Sequence, residues 1–176
     1  NIKMFPSLRP CVSAGDPLPE IIFKKWKEKT GLTILDGIGT TETLHIFISN
    51  RLDVLKPGTS GKLVPGYQAK IVDKFNNTLG VNKIGDLMIK GESIISCYWK
   101  LPKRSSESLI DGWIRTGDSY FIDEDGFFVC YGRSDDMLKV GGIWVSPVEI
   151  EAQLISHEKV LEAAVVGRHD KDRLIK

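Results

Sequence analysis

Tyr131-Gly132-Arg133-Ser134-Asp135-Asp136-Met137-Leu138-Lys139-Val140-Gly141-Gly142-Ile143-Trp144-Val145-Ser146-Pro147-Val148-Glu149-Ile150-Glu151 is the stretch whose reading decides the fold. It closes on a helix start. Ser146 is placed to cap the first turn, Pro147 suits the first helical position, and Glu149 stands where it can reach back to complete a capping box. Ahead of the cap come Arg133, Asp135, Asp136 and Lys139, then the Gly141-Gly142 pair, where backbone can pass close to another group because no Cβ intervenes. The stretch predicts a charged, glycine-marked crossing between a strand and a capped helix.

Outward from that crossing the texture divides in three. Residues 7–50 read as strand, loop, helix, strand and loop. Arg9 to Ser13 is short and apolar-rich, and Ala14-Gly15-Asp16-Pro17 punctuates it. From Pro19 to Thr30, Ile22 and Trp26 fall four apart with Phe23 beside them, the spacing of one helical face, and Gly31 is a stop. Thr33-Ile34-Leu35 then reads as a short buried strand running into Asp36-Gly37. Strand, helix, strand is the α/β pattern, with a ligand loop expected after the second strand. From Pro57 to Cys130 short strands and turns take over. Ala69–Asp73 and Asp86–Lys90 are strands, Phe75–Thr78 is a turn, and Tyr120–Ile122, Asp123–Gly126, Phe127–Cys130 is a β-hairpin. A small β-barrel or sandwich is predicted there. Beyond the capped helix, Val160–Val166 reads as a strand and Arg168-His169-Asp170 as a loop.

Two further strings carry chemistry. In Asp36-Gly37-Ile38-Gly39-Thr40-Thr41-Glu42 the glycines allow close backbone approach. Thr40 and Thr41 offer hydroxyls to a phosphate, and Glu42 offers a hard oxygen to Mg²⁺. Alone, the string is also compatible with a turn leading into a capped helix. In Trp113-Ile114-Arg115-Thr116-Gly117-Asp118 a carboxylate fixed after a Thr-Gly turn can accept two neighbouring hydroxyls. Asp123-Glu124-Asp125-Gly126 lacks the spacing of a calcium loop and reads as a plain hairpin turn.

In this order and spacing the strings resemble the motifs of the adenylate-forming enzymes, the superfamily of acyl-CoA synthetases, adenylation domains and luciferases. The resemblance implies an AMP site in which Thr41 meets the α-phosphate, Glu42 holds magnesium, Asp118 binds the ribose and Arg133 adds a second ribose contact. Asp36, Gly37 and Ile38 then belong to the nucleotide site. So does Ala14-Gly15-Asp16, which looks like the loop that contacts adenine and borders the acyl pocket. Gly85–Gly91, running on to Tyr98-Trp99, resembles the next motif, with Asp86 where Glu is more usual; that segment reads as structural. The family usually carries an aromatic residue where Ile38 stands. Ile38, followed by Thr43-Leu44-His45-Ile46-Phe47, looks most like the benzoate-CoA ligases and related aryl-CoA ligases, which implicates Gly39 and His45 in the acyl pocket. A hydrogen-bonded histidine at the base of a helix is the alternative for His45. Asp135 matches the family's hinge, and Gly141 and Gly142 match the backbone of the CoA tunnel.

The implied architecture is α/β plus β. Residues 1–55 end a large α/β AMP-binding subdomain, 56–134 form a small β-barrel subdomain, and 135–176 hold the hinge and the start of an α+β C-terminal lid domain. The implied reaction joins an aromatic or other small carboxylate to CoA through an acyl-adenylate, with ATP, Mg²⁺ and coenzyme A. An adenylation domain that loads a carrier protein, and a non-catalytic nucleotide-binding fragment, are the alternatives; Ile38 and Gly141-Gly142 lean against the former. The family's Ser/Thr/Gly-rich phosphate loop and lid lysine do not occur in the sequence. The polypeptide is therefore expected to be a fragment, inactive by itself.

Composition narrows the remaining classes. The 176 residues carry 24 Lys+Arg against 23 Asp+Glu, a net charge of +1, which gives no broad electrostatic case for nucleic acid or an anionic membrane. With 41% hydrophobic and 27% charged residues the chain reads as globular, and no apolar run is long enough to span a bilayer. It opens at Asn1, which leaves room for an upstream leader. Cys11, Cys97 and Cys130 are few, odd in number and far apart, so they read as reduced, buried thiols of a cytoplasmic protein. The resemblance also allows a homodimer of the full-length parent.

Overall fold

The computed structural model describes residues 7–168 and Lys171. Strand β1 (Cys11–Ser13), helix α1 (Glu20–Thr30) and strand β2 (Ile34–Gly39) form the expected strand–helix–strand unit, with β1 parallel to β2 and Ser13 opposite Asp36. Gly31 ends α1 in the left-handed region at φ 71°, its N–H donating to the Lys27 carbonyl at 2.8 Å.

β2 does not turn into a loop at Asp36 as the sequence suggests. It continues through Gly39 because β3 (Ile46–Ser49) pairs with it antiparallel, Gly37 opposite Ser49 and Ile38 opposite Ile48. A Cβ on Gly37 would lie 2.7 Å from the Ile48 carbonyl oxygen, and one on Gly39 2.5 Å from that of His45. These glycines first serve strand contact. Next comes a single 3₁₀ turn, Thr41–Thr43, closed by the Thr40 N–H donating to Thr43 Oγ1 at 3.1 Å, and no longer helix follows it. β4 (Lys62–Leu63) pairs with β3 to complete a four-stranded mixed sheet, β1-β2-β3-β4.

The second sheet is built from β5 (Gln68–Val72), β6 (Gly85–Lys90), β7 (Leu109–Ile110), β8 (Trp113–Ile122) and β9 (Phe128–Arg133), with the short helix α2 (Pro102–Ser108) ahead of β7. β6 lies along one edge of β8, while β7 and β9 take successive lengths of the other. The predicted hairpin through Asp123–Gly126 is β8–β9. A closed barrel is not formed among the described residues: β5 does not pair with β7 or β9. The two sheets are instead joined where Gly61 bridges Phe128, with the Ser60 N–H donating to the Phe128 carbonyl and the Phe128 N–H to the Gly61 carbonyl, both at 2.9 Å. Phe47 and Ile48 from the first sheet pack with Ile71, Leu87, Ile89, Ile114, Tyr120 and Phe128 from the second in one buried core.

The decisive stretch folds as β10 (Leu138–Val140), β11 (Ile143–Val145) and α3 (Pro147–Ile155). Ser146 caps α3 by accepting the Glu149 N–H at 3.3 Å, and its buried hydroxyl donates to the Tyr131 carbonyl at 2.5 Å. The return half of the predicted capping box is not made, because the Glu149 carboxylate lies beside the Tyr131 phenol. Val160–Val166 is irregular, not a strand. It has no ladder partner among the described residues, and the Val165 N–H donates to Glu151 Oε1 at 2.7 Å. His169 and Asp170, read as loop, lie outside the described residues. The cysteines are free, but none is fully buried: Cys11 and Cys130 are half-buried and Cys97 is exposed. No helix among the described residues is long and apolar enough to cross a membrane.

Gly61 and Gly66 test the crossing between the sheets. Both have positive φ, 98° and 95°, but a Cβ at Gly61 would lie 2.0 Å from the Ser49 carbonyl carbon, whereas one at Gly66 meets nothing within 4 Å. Gly66→Ala is expected to cost only the left-handed strain of about 1–2 kcal/mol. Gly61→Ala should exceed about 4 kcal/mol, since backbone must move as well. Urea unfolding midpoints of the two variants check this.

Candidate functional site

The site lies where the second half of β2 and the middle of β8 line the same cavities. β8 bulges at Thr116-Gly117-Asp118, where its register with β6 shifts. Gly117 takes φ 81°, the Thr116 hydroxyl donates to the Leu87 carbonyl at 3.2 Å, and it accepts the Asp118 N–H at 3.1 Å. The bulge sets Asp118 opposite Arg133 of β9. Arg133 Nη1 donates to Asp118 Oδ1 at 3.0 Å and to the Thr116 carbonyl at 3.3 Å. A Cβ on Gly117 would sit 2.9 Å from Arg133 Nη2, the movable end of a long side chain, so glycine is needed there for φ rather than for space. Burial pushes the Asp118 carboxyl above its ordinary range, and the Arg133 guanidinium only partly offsets it.

Two adjoining cavities open from this pair. One, of about 560 Å³, is lined by Gly15, Asp16, Asp36, Gly37, Ile38, Asp118, Arg133 and Asp135, together with Pro147 and Glu151 of α3. The other, of about 610 Å³, is lined by Gly39, Thr40, Thr41, Glu42, Tyr98 and Arg104, and shares Gly15, Ile38, Asp118, Arg133 and Asp135 with the first. Residues more than a hundred positions apart in the sequence thus meet on one wall.

Four residues singled out from the sequence line neither cavity: Ala14, His45, Gly141 and Gly142. His45 is not at the base of a helix. It is exposed just ahead of β3, its Nδ1 facing the Ile46 carbonyl at 2.8 Å and its Nε2 the Tyr67 hydroxyl at 3.0 Å. Gly141 and Gly142, at φ 58° and 87°, form the two-residue turn that joins β10 to β11. Positive φ at both turn positions matches the twist of a hairpin, and a Gly-Gly pair between Leu138–Val140 and Ile143–Val145 is a hairpin signal that was readable in the sequence.

Sequence reasoning missed Tyr98 and Arg104 as site residues. The Tyr98 hydroxyl donates to Glu42 Oε1 at 2.8 Å, and the Arg104 guanidinium lies 4.2 Å from the centre of the Tyr98 ring. Burial pushes the Glu42 carboxyl up, but hydrogen bonds from Tyr98, the backbone and Thr40, with the field of Arg104, leave it below its ordinary value. No cluster of three or more His, Cys, Asp or Glu suited to a metal occurs among the described residues. A single ionised carboxylate beside threonine hydroxyls fits a magnesium ion that brings phosphate and water as its other ligands, and not a self-sufficient protein cage.

Asp36 is the other distinctive carboxylate. It is 7% exposed; Oδ2 accepts the Leu18 N–H at 3.3 Å, and Oδ1 has no partner. Burial raises its pKa from 3.8 to about 6, with the Leu18 and Gly37 amides pulling the other way. The folded state therefore binds this proton more tightly than the unfolded chain does. Its contribution to stability should fall as pH rises from 3.8 to about 6, and the cost should be complete above that. Asp36→Asn is expected to flatten stability over that window and to stabilise the fold at pH 7.5 by up to about 3 kcal/mol. Denaturant unfolding across pH for the two proteins measures both effects.

The profile of the family described as AMP-binding enzyme matches residues 1–99. The benzoate–CoA ligase of Thauera aromatica is 51% identical over 172 residues, covering 96% of this chain and 32% of that protein. A 4-hydroxybenzoate–CoA/benzoate–CoA ligase of Rhodopseudomonas palustris is 43% identical, with 96% of this chain and 31% of that protein covered. Among solved structures, an anthranilate CoA ligase in complex with anthranoyl-AMP superposes with a TM-score of 0.93 at 51% identity, covering 97% of this chain and 33% of that one. A benzoate CoA ligase from Burkholderia xenovorans LB400 superposes with a TM-score of 0.90 at 45% identity, covering 97% and 34%. The chain spans about a third of the length of these relatives. The fold, the order of its motifs and the family profile agree: the chain belongs to the AMP-binding enzymes of the adenylate-forming superfamily.

Proposed function

We propose that the chain is the nucleotide-holding portion of an AMP-forming ligase that joins an aromatic carboxylate to CoA. The observation that carries this reading is the meeting of Thr41 and Glu42, from the 3₁₀ turn between β2 and β3, with Asp118 and Arg133 of the second sheet on one cavity wall. The relatives named above are aryl carboxylate–CoA ligases, which favours CoA over a carrier protein as acceptor.

In the first half-reaction a carboxylate oxygen attacks the α-phosphorus of ATP and pyrophosphate leaves. In the second, the CoA thiol attacks the acyl carbonyl and AMP leaves. Positioning and charge neutralisation carry most of such chemistry. The Thr41 hydroxyl donates to the α-phosphate. Asp118 accepts from the ribose hydroxyls, with the Arg133 fork beside it. Ile38 packs on the base, and the unpartnered Asp36 Oδ1 accepts from an amino group of the base. The Ala14-Gly15-Asp16 turn borders the base from the opposite side, with Gly15 and Asp16 on the cavity wall. Glu42 holds magnesium, which neutralises phosphate charge when bound. Gly39 borders the acyl group, and His45 acts behind it through its own backbone.

The proposed division is 1–55 for the end of the AMP-binding subdomain, 56–134 for the β subdomain and 135–176 for the beginning of the lid. Asp135, in the turn between β9 and β10, is the hinge. The Gly141-Gly142 turn faces the pantetheine arm of CoA, and open space around it supports that role.

Asp118→Ala should weaken AMP binding by about tenfold or more, since a hydrogen bond to an ionised group contributes about 1.5–3 kcal/mol. Calorimetric titration of the chain with AMP tests this, and unchanged affinity would remove the ribose assignment. In a full-length enzyme with these residues, Asp135→Pro should keep acyl-AMP formation and slow thioester formation, because proline fixes φ near −65°. Separate assays of pyrophosphate release and CoA-ester yield distinguish the halves; equal losses in both would return Asp135 to a folding role.

A further inference from the structure

Three arginines line the 610 Å³ cavity: Arg104, Arg115 and Arg133. Two are already engaged. Arg133 is paired with Asp118, and Arg115 is bonded to Asp86 and Asn76. Arg104 has no carboxylate within ion-pair distance among the described residues. Its guanidinium lies instead over the Tyr98 ring.

That placement is held from several sides. The Tyr98 N–H donates to Ser105 Oγ at 2.9 Å, and the Leu101 N–H donates to the Tyr98 carbonyl at 3.0 Å, which fastens the start of α2 to Tyr98. The Tyr98 hydroxyl is in turn bonded to Glu42. A guanidinium stacked on an aromatic face keeps its edge N–H groups free, in a plane suited to two phosphate oxygens. Glu42, on the same wall, would repel a polyphosphate unless positive charge stood near it. Of the three arginines, Arg104 alone makes no ion pair among the described residues, and its field reaches Glu42.

We infer that Arg104 binds the pyrophosphoryl end of a nucleoside triphosphate, the group that departs in the first half-reaction. This rests on the nucleotide reading above. With ribose at Asp118 and Arg133 and the α-phosphate at Thr41, the remaining phosphates extend past Glu42 toward Tyr98 and Arg104. Arg104 then holds charge that AMP does not carry, so it discriminates between the triphosphate and the monophosphate.

The experiment is calorimetric titration of the chain with ATP and with AMP, each with magnesium at low ionic strength, for the unaltered chain, Arg104→Ala, Arg104→Lys and Asp118→Ala. Arg104 is exposed, so its replacement leaves the core intact. Arg104→Ala should weaken ATP by about tenfold and change AMP by less than about twofold, as expected for loss of one charge-assisted contact. Arg104→Lys should recover part of the loss, because it keeps the charge without the fork. Asp118→Ala should weaken both nucleotides alike. If AMP binding depends on Asp118 while the ATP-to-AMP ratio ignores Arg104, this inference falls and the nucleotide reading stands. Equal loss of both nucleotides in Arg104→Ala also overturns it. Failure of the unaltered chain to bind either nucleotide overturns both.

Discussion

The side chain of Asn50, 2% exposed, is the contact on which the rest of the arrangement depends. Its Nδ2 donates to the Asp36 carbonyl at 3.2 Å and the Thr59 carbonyl at 2.6 Å, and its Oδ1 accepts the Lys56 N–H at 3.0 Å. One buried amide thus ties the middle of β2 to the segment that crosses between the sheets. Just beyond that tie, Ser60 Oγ meets Tyr120 Oη at 2.9 Å and Gly61 bridges Phe128. The spacing between Asp36 on one sheet and Asp118 on the other follows from this chain of contacts. Because each group is buried, loss of one partner would strand the others without water, which costs more than the bond itself contributes.

The carboxylates around the cavities are sorted by surroundings, not by residue type. Asp36 and Asp118 are pushed up by burial, while Glu42 is held down by donors that face it. Carboxylates kept at different proton affinities within one cleft can accept different partners at the same pH, a base, a sugar or a cation. The backbone contributes equally to this sorting. The bulge at Gly117 turns Asp118 toward Arg133, and the 3₁₀ turn after Gly39 presents Thr41 and Glu42 together.

Local signals in the sequence were read well where one short segment decides the outcome. The Ser146-Pro147 cap, the Gly31 stop and the hairpin through Asp123–Gly126 all depend on neighbours in the chain. Long-range pairing was less legible. β2 runs through Asp36–Gly39 only because β3 lies beside it, and Val160–Val166 stays irregular because no strand does. Barrel closure depends on which edges meet, and alternation along one strand carries no information about that. Most residues assigned to the nucleotide from the sequence line the cavities, but Tyr98 reaches Glu42 across 56 positions by one hydroxyl, a contact that no spacing rule announces. The Gly141-Gly142 hairpin was legible and was read as a crossing, since two glycines satisfy both descriptions.

The Ser146 hydroxyl joins the capped end of α3 to the Tyr131 carbonyl, on the far side of the Ser134–Asp136 turn. Any rotation of residues 138–155 about that turn has to break this bond and bring a buried serine, 1% exposed, into water. A neutral hydrogen bond contributes a net of about 1 kcal/mol, of the same order as thermal energy. In the hinge rotation proposed above, the cap of a helix would serve as a latch as well: firm enough to favour one pose, and weak enough to release without unfolding the strands on either side.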